Sequence, residues 1–331
     1  MSDKAAPPTE NSTYWPINSS STPRFAGLVS FFRLPTMTDP SAVDIALVGL
    51  PWDGGTTNRA GTRHGPREVR TQSTLLRPYH HVTRTSPYEH CRVADLGDAP
   101  VNPLDITDTL RQLEAHYATL HGAGAVPITA GGDHLITLPI LRALAKDGPV
   151  GLIQFDAHAD VNDSYFGGQR YSHGTHVRRA IEEGLVDPKR TVQIGIRGTR
   201  YSPDGEDFSA EHGIRTINIE EVFSLGTKGV IEEIRRVVGS APTYLTFDVD
   251  GIDPAFTPGT GTPEVGGYSV FEAQQMVRGL AGLDIIGGDV VEVSPPFDPS
   301  GVTALVGATM MFEILCVTAQ ATVARKEKLR R

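Results

Sequence analysis

Three apolar runs in the sequence are each followed at once by acidic or imidazole side chains. In the segments DAHAD and DVD the polar residues alternate with apolar ones, and alternate residues of an extended chain share one side. Buried like charges repel strongly unless a cation neutralises them, so we interpret these side chains as metal ligands. The predicted ligands are His134, Asp156, His158, Asp160, Asp248 and Asp250.

The predicted ligand set contains four carboxylates, two imidazoles and no thiolate. Such oxygen and nitrogen donors suit two divalent ions, with Mn²⁺ favoured and Ni²⁺ or Co²⁺ as alternatives. Two ions about 3.5–4 Å apart can share a water molecule and lower its pKa from roughly 16 toward 7, which makes hydroxide available at neutral pH. Hydrolysis of a resonance-stabilised guanidinium carbon requires such a nucleophile, and an acidic site favours a cationic substrate. The sequence therefore predicts a binuclear hydrolase of a small guanidinium compound, in which a histidine protonates the leaving amine.

The elements that position these residues follow from the alternation of aliphatic runs with amphipathic stretches. The runs predicted as strands are Asp44–Leu50, Ala125–Ile128, Val150–Phe155, Thr191–Ile196, Thr243–Phe247 and Ile285–Val293. The stretches predicted as helices are Ile106–His121, Leu138–Ala145, His176–Glu183, Val230–Val238 and Val270–Leu280. This alternation predicts an α/β fold with a doubly wound, mainly parallel sheet and helices on both faces. In such a sheet the site lies beyond the carboxyl ends of the strands.

Composition narrows the remaining possibilities. A net charge of −9 argues against a nucleic-acid partner, and two cysteines without a pairing pattern predict a cytoplasmic protein. The apolar stretch Val302–Ala324 contains Glu313 and Gln320, so we expect a core helix and no membrane contact. We predict a flexible N-terminal extension at residues 1–24, one domain at residues 25–322, and a basic tail at residues 323–331.

Five motifs make the chain resemble the ureohydrolases, the family of arginase and agmatinase. They occur in the family's order between about Arg24 and Cys316: GGDH, DAHAD, SHGT, FDVDGIDPAFTPGTGTPE and VEVSPP. The resemblance implies an arginase-type fold, a homotrimer or homohexamer, and the same six metal ligands. It also implies that His173 shuttles the proton and that Glu292 binds the guanidinium group.

The guanidinopropionase and guanidinobutyrase types are the most similar members of the family, and two loops look most like those of guanidinopropionase. They are PWDGGTTNRAGTRHGPREVR from Pro51 and the loop Asn162–Gly167, in which Tyr165 would shorten the substrate pocket and Trp52 would line its mouth. We therefore expect a guanidino acid such as 3-guanidinopropionate to be cleaved to urea and an amino acid, with a guanidinobutyrase or agmatinase as alternatives.

His176 departs from the family pattern, because relatives usually carry Pro, Thr or Met there. It is a candidate contact for an unusual substrate or for a metal ion, which keeps a substituted guanidine or biguanide open as the substrate. A non-catalytic subunit of the same fold, in a hetero-oligomer with a related chain, is a remote alternative.

Overall fold

The structure, a computed structural model, describes residues 13–200 and 207–330. Its centre is an eight-stranded sheet in which every pair of neighbouring strands is parallel. The strands are β1 (Ile45–Gly49), β2 (Val93–Asp98), β3 (Val126–Ala130), β4 (Val150–Phe155), β5 (Val186–Ile196), β6 (Arg215–Asn218), β7 (Thr243–Asp248) and β8 (Ile285–Val291). Their order across the sheet is β2-β1-β3-β8-β7-β4-β5-β6.

Helices cover both faces of this sheet. They are α1 (Gly65–Ser73), α2 (Ile106–Gly122), α3 (Thr137–Leu144), α4 (His176–Glu182), α5 (Asp207–His212), α6 (Ile219–Val238), α7 (Val270–Arg278) and α8 (Val302–Arg330). Side chains of α1, α6, α7 and α8 belong to one apolar cluster, and those of α2, α3 and α4 belong to a second. Along β4, Phe155 enters the first cluster and Leu152 the second, which is why both faces of a central strand are apolar. The predicted doubly wound α/β fold is confirmed.

The strands that were not predicted lie at the two edges of the sheet. β2 and β6 each pair with one neighbour, and both contain polar or half-exposed residues. Edge strands are covered less completely than central ones, so they lack the continuous apolar run on which the strand prediction depended.

Helix α8 is long and apolar enough to cross a membrane when judged by length and composition. We expected Glu313 and Gln320 to make this segment too polar for a membrane-spanning helix, and by length and composition that expectation was wrong. However, 83% of its most apolar window is buried inside the protein. Glu313, near its middle, is bound by Arg278 and His80, so the charge within this core helix is paired.

The chain ends lie partly within the described residues. Residues 1–12 and Arg331 fall outside them, so the predicted extension at 1–24 is described only in its second half. There the Tyr14 hydroxyl donates to the Ala42 carbonyl oxygen at 2.8 Å, and the Ile17 amide donates to the Arg33 carbonyl oxygen at 3.1 Å. At the other end, α8 continues through the basic residues to Arg330.

Candidate metal centre

All six predicted ligands lie at the carboxyl ends of three central strands. His134 follows β3, the DAHAD segment follows β4, and Asp248 is the last residue of β7. Strand β8 lies between β3 and β7, and Glu292 follows it directly. Because parallel strands end at the same edge of the sheet, residues far apart in the sequence meet in one buried space.

One cluster of ligand atoms surrounds Nδ1 of His134. This nitrogen lies 3.0 Å from Asp156 Oδ2, 3.2 Å from Asp160 Oδ2 and 3.3 Å from Asp248 Oδ2. It is buried and has no hydrogen bond of acceptable geometry among the described residues. Neighbouring ligands at about 2.1 Å from a common ion are about 3.0 Å apart, so these atoms fit a divalent cation.

A second cluster shares Asp156 with the first. His158 Nδ1 lies 3.1 Å from Asp250 Oδ2 and 3.6 Å from Asp156 Oδ1. The two oxygens of Asp156 therefore face different histidines, one in each cluster. A carboxylate placed in this way can bridge two ions, so the six residues fit a binuclear site.

The pKa values of the cluster show how strongly the carboxylates interact when no cation is present. Burial and the charge of Asp156 raise the pKa of Asp160 to about 6, and burial with Asp250 raises that of Asp248 well above its ordinary value. Burial opposes protonation of His134, yet its close contacts with the carboxylates of Asp156, Asp160 and Asp248 raise its pKa well above the ordinary value. In the metal-free protein, bound protons therefore offset part of the carboxylate charge that cations neutralise when metal is bound.

The DAHAD segment reaches this arrangement without being extended. Strand β4 ends at Phe155, the next residues bend, and Asp160 has a φ of 53°. The prediction that alternate residues share one side of an extended segment was therefore wrong in its geometry. The three side chains converge because the chain bends at Ala157 and His158 and because Asp160 adopts a left-handed backbone conformation.

A buried chain of hydrogen bonds holds His134 from behind. Its Nε2 lies 2.7 Å from Thr246 Oγ1, and this hydroxyl donates to Asp289 Oδ1 at 2.6 Å. Since Thr246 donates to Asp289, it accepts from Nε2–H, so in the neutral ring that binds a metal the lone pair of His134 is on Nδ1, the atom that faces the carboxylates. Thr137 and Tyr244 also donate to Asp289, at 2.8 and 2.9 Å.

His173 and Glu292 form a buried pair beside the metal ligands. His173 Nδ1 lies 2.9 Å from Glu292 Oε1, which also accepts the amide hydrogen of His134 at 2.9 Å. Burial opposes it, but the charge of Glu292 raises the pKa of His173 to about 9. Glu292 Oε2 is buried and has no hydrogen-bond partner within the described ranges. The backbone of Glu292 has a φ of 64°, which is unusual for a residue other than glycine.

A cavity of about 600 Å³ opens onto both clusters. Its wall includes His173, Tyr165, Glu264 and the ligands His134, His158, Asp160 and Asp248. Tyr165 lies against the SHGT turn, because a Cβ at Gly174 would come within 2.7 Å of its hydroxyl, and Asn162 Nδ2 donates to that hydroxyl at 2.8 Å. The structure thus brings Tyr165 to the cavity, as its predicted role requires.

His176 is fully buried and is not part of the cavity wall. Its ring lies on that of His134, with centroids 4.1 Å apart, and its Nδ1–H donates to the His173 carbonyl oxygen at 3.0 Å. The same nitrogen is 3.4 Å from Asp160 Oδ2. His176 therefore lies behind the first cluster, where contact with a substrate in the cavity is not available to it.

Trp52 is also absent from the wall of the cavity, although we expected it at the mouth. Its carbonyl oxygen accepts the amide hydrogen of Asp133 at 2.8 Å, and a Cβ on Gly132 would come within 1.6 Å of that oxygen. The backbone of Trp52 therefore packs directly on the GGDH segment, and the glycine there is what permits the contact.

Several contributors to the site were not predicted from the sequence. Thr57 contacts His173, and Thr246 with Asp289 supports His134. Arg197 donates to the carbonyl oxygens of Asp250, Gly251 and Glu264. Hydroxyl and arginine side chains are common on surfaces and in loops, so their types alone gave no signal. Thr246 and Asp289 could have been found from the sequence, because each is a polar residue inside an otherwise apolar central strand.

Comparison with known proteins agrees with this geometry. The family model described as "Arginase family" matches residues 43–317. A guanidinopropionase from Pseudomonas aeruginosa is 62% identical over 305 residues, which cover 92% of this chain and 96% of that protein. A guanidinobutyrase from the same organism is 46% identical over 312 residues, covering 93% of this chain and 98% of the relative.

Solved structures agree as well. The proclavaminate amidinohydrolase of Streptomyces clavuligerus superposes with a TM-score of 0.87 at 37% identity, covering 91% of this chain and 100% of that one. The family match extends over most of the chain, and the residues it spans include every ligand of the two clusters. This chain belongs to the arginase family.

Proposed function

We propose that this protein hydrolyses a guanidino acid to urea and an amino acid, with 3-guanidinopropionate as its preferred substrate. The observation that carries the proposal is the pair of ligand clusters joined by Asp156 and opening onto one cavity. The 62% identity to a guanidinopropionase over most of both chains supports the substrate class.

The metal ligands, His173 and Glu292 have different roles in the proposed hydrolysis. Two divalent ions held by the six ligands would supply hydroxide at neutral pH. His173 lines the cavity and its pKa is raised to about 9, so it can hold the proton that the departing amine takes up. Glu292 accepts the Nδ1–H of His173, which fixes the direction of the ring. Glu292 is buried and is not part of the cavity wall, so its contact with the guanidinium group stays a prediction, supported by its unpartnered Oε2.

The wall of the cavity also suits the carboxylate of a guanidino acid. Arg59, Arg197 and Arg200 all lie in it. Arg197 is occupied by the carbonyl oxygens of the surrounding loops, whereas Arg59 uses its Nε for Gly261 and faces the Phe297 ring. We therefore assign the tail carboxylate to the part of the wall that contains Arg59.

The alternatives differ in what the structure offers them. A guanidinobutyrase would need only a slightly longer cavity, and a relative of that name is 46% identical. A biguanide or alkylguanidine hydrolase was suggested by His176, and its position behind the metal ligands gives that alternative no added support. Loss of a ligand would mark a non-catalytic subunit, and all six ligands are present.

Some features of the proposal rest on ligand chemistry and resemblance alone. Mn²⁺ is our choice of metal because oxygen ligands dominate, with Ni²⁺ as the alternative. The homotrimer or homohexamer, a hetero-oligomer with a related subunit, and a cytoplasmic location also stay predictions.

A panel assay tests the proposal directly. Protein stripped of metal and reloaded with Mn²⁺, Ni²⁺ or Co²⁺ is given 3-guanidinopropionate, 4-guanidinobutyrate, agmatine, arginine, an alkylguanidine and a biguanide, and urea and amine are measured. We expect urea from 3-guanidinopropionate at the highest kcat/KM, and no activity from Asp250→Asn, which disrupts the second cluster. Absence of urea from every guanidino acid with every metal would overturn the proposal.

A further inference from the structure

The loop after β1 is built onto the two segments that carry His134 and His173. The Gly55 amide donates to Asp133 Oδ2 at 2.6 Å, and the Gly55 carbonyl oxygen accepts the amide hydrogen of His173 at 3.0 Å. A Cβ on Gly55 would lie 3.1 Å from both carboxylate oxygens of Asp133. The loop is therefore fixed on both sides, and it places the next residues at a defined position over His173.

Thr57 is the residue that this loop delivers to the His173 ring. Its hydroxyl oxygen lies 2.7 Å from His173 Nε2, and its amide nitrogen lies 3.2 Å from the same atom. On the opposite side of the ring, Nδ1 faces Glu292. Both ring nitrogens are thus held by protein groups, and of these two partners Thr57 is the one in the cavity wall.

A hydroxyl is suited to both protonation states of the histidine. When His173 is neutral, with its hydrogen on Nδ1, the hydroxyl and amide of Thr57 can donate to Nε2. When His173 is protonated, Nε2–H can donate to the Thr57 hydroxyl oxygen. A threonine in this place therefore keeps a hydrogen bond to the ring throughout a proton transfer, which an apolar side chain cannot do.

We propose that Thr57 is a positioning and proton-relay residue for His173, a role that rests on the proposed function above. Nε2–H passes its proton to the Thr57 oxygen while the Thr57 hydroxyl proton moves to the leaving amine nitrogen in the cavity. One N–H and one O–H bond break, while one O–H and one N–H bond form. Thr57 ends as a neutral hydroxyl, His173 as a neutral imidazole, and the amine carries the proton.

The neighbouring threonine provides a matched control. The Thr56 hydroxyl is buried and has no hydrogen-bond partner in the part of the chain that the structure describes, and Thr56 is not part of the cavity wall. Thr56→Val and Thr57→Val make the same chemical change one residue apart. Only the second removes a hydrogen bond to His173.

The experiment compares the metal-loaded wild type with Thr57→Val, Thr57→Ser and Thr56→Val. We expect Thr57→Val to lower kcat by about 10–100-fold with KM changed less than threefold, because general acid catalysis is impaired while binding is kept. Thr57→Ser should recover kcat to within about threefold of wild type, and Thr56→Val should match wild type. The solvent deuterium isotope effect on kcat should indicate two protons in motion for wild type and one for Thr57→Val.

Metal content and thermal unfolding of each variant separate this role from a structural one. All variants should bind two ions per chain and unfold at similar temperatures. The proposal is overturned if Thr57→Val keeps the wild-type kcat and isotope effect, if Thr57→Ser falls as far as Thr57→Val, or if Thr56→Val falls equally. A wild type that binds metal but releases no urea would instead refute the proposed function.

Discussion

The hydrogen-bonded chain behind His134 leads to a quantitative prediction for metal binding. Thr246→Val removes the hydroxyl that lies between His134 Nε2 and Asp289, at 2.7 and 2.6 Å, and leaves a side chain of nearly the same shape. Loss of such an outer hydrogen bond typically weakens metal binding by about 10–100-fold, or about 1.4–2.7 kcal/mol. The physical reason is that the ring is no longer held in the tautomer and direction that aim Nδ1 at the ion.

The size of the effect can be read in two assays. At free Mn²⁺ about 100-fold above the wild-type dissociation constant, the bound ion stabilises the fold by about 2.7 kcal/mol. A variant that binds about 100-fold more weakly gains only about 0.4 kcal/mol at that concentration. Competition with a chelator gives the affinity, and denaturant unfolding with and without Mn²⁺ gives the stabilisation.

Two further hydroxyls make the test specific. Thr137→Val and Tyr244→Phe each remove a hydrogen bond to Asp289 without touching His134. Both should reduce stability but keep wild-type metal affinity. If Thr246→Val binds Mn²⁺ as tightly as wild type, or if the two controls lose as much affinity, the reasoning about the His134 tautomer is refuted.

Three other predictions concern the cavity and its surroundings. In the metal-free protein, Glu292→Gln should lower the pKa of His173 from about 9 toward its ordinary value, measured by NMR, because the carboxylate charge that raises it is lost. The pairing of His173 with Glu292 stabilises the fold below about pH 6.5, and this stabilisation is lost as pH rises through about 9. The Glu292→Gln variant should therefore lack this dependence of stability on pH. Tyr165→Ala should raise kcat/KM for 4-guanidinobutyrate relative to 3-guanidinopropionate by about tenfold, and an unchanged ratio would contradict a length-limiting role. His176→Phe should weaken Mn²⁺ binding by about tenfold without changing preference within the substrate panel, and altered preference would show contact with the substrate.

The central strands of the fold were predictable because each is visible as a pattern within a short stretch of sequence. Strands such as β4 and β7 are buried on both faces, so they appear as apolar runs that end in polar residues. The edge strand β6 has the sequence RTIN and is only partly buried, which leaves little pattern to detect. The beginning of α6 was missed for a related reason, since a non-helical Gly226 interrupts the helical pattern.

The ligands were predictable, but the contacts that orient them were not. Asp156 and Asp248 carry charge at the ends of apolar runs, and that contrast is visible in the sequence. Thr57 is 116 residues from His173, and Thr246 is 112 residues from His134. Nothing local relates the members of such pairs, because the order of strands in the sheet is what brings them together.

Charge explains why the site fits two cations and leads to the last prediction. The four aspartates carry four negative charges when ionised, and two divalent ions neutralise four, whereas one ion would leave two buried charges unbalanced. Without metal, protons take part of this role. Burial opposes protonation of the two rings, but the surrounding carboxylates raise the pKa values of His134 and His158 well above their ordinary range, so protonation of both rings is favoured in the metal-free protein.

Because a metal binds the neutral imidazole and the ionised carboxylate, loading both ions at pH 7 should release protons, and affinity should weaken as pH falls. Calorimetric titration with Mn²⁺ in buffers of different ionisation enthalpy counts the released protons. His158→Asn, which lacks the histidine of the second cluster, should release fewer protons than wild type. Binding of two ions without proton release would mean that the rings are already neutral, and the electrostatic account of the metal-free protein would be wrong.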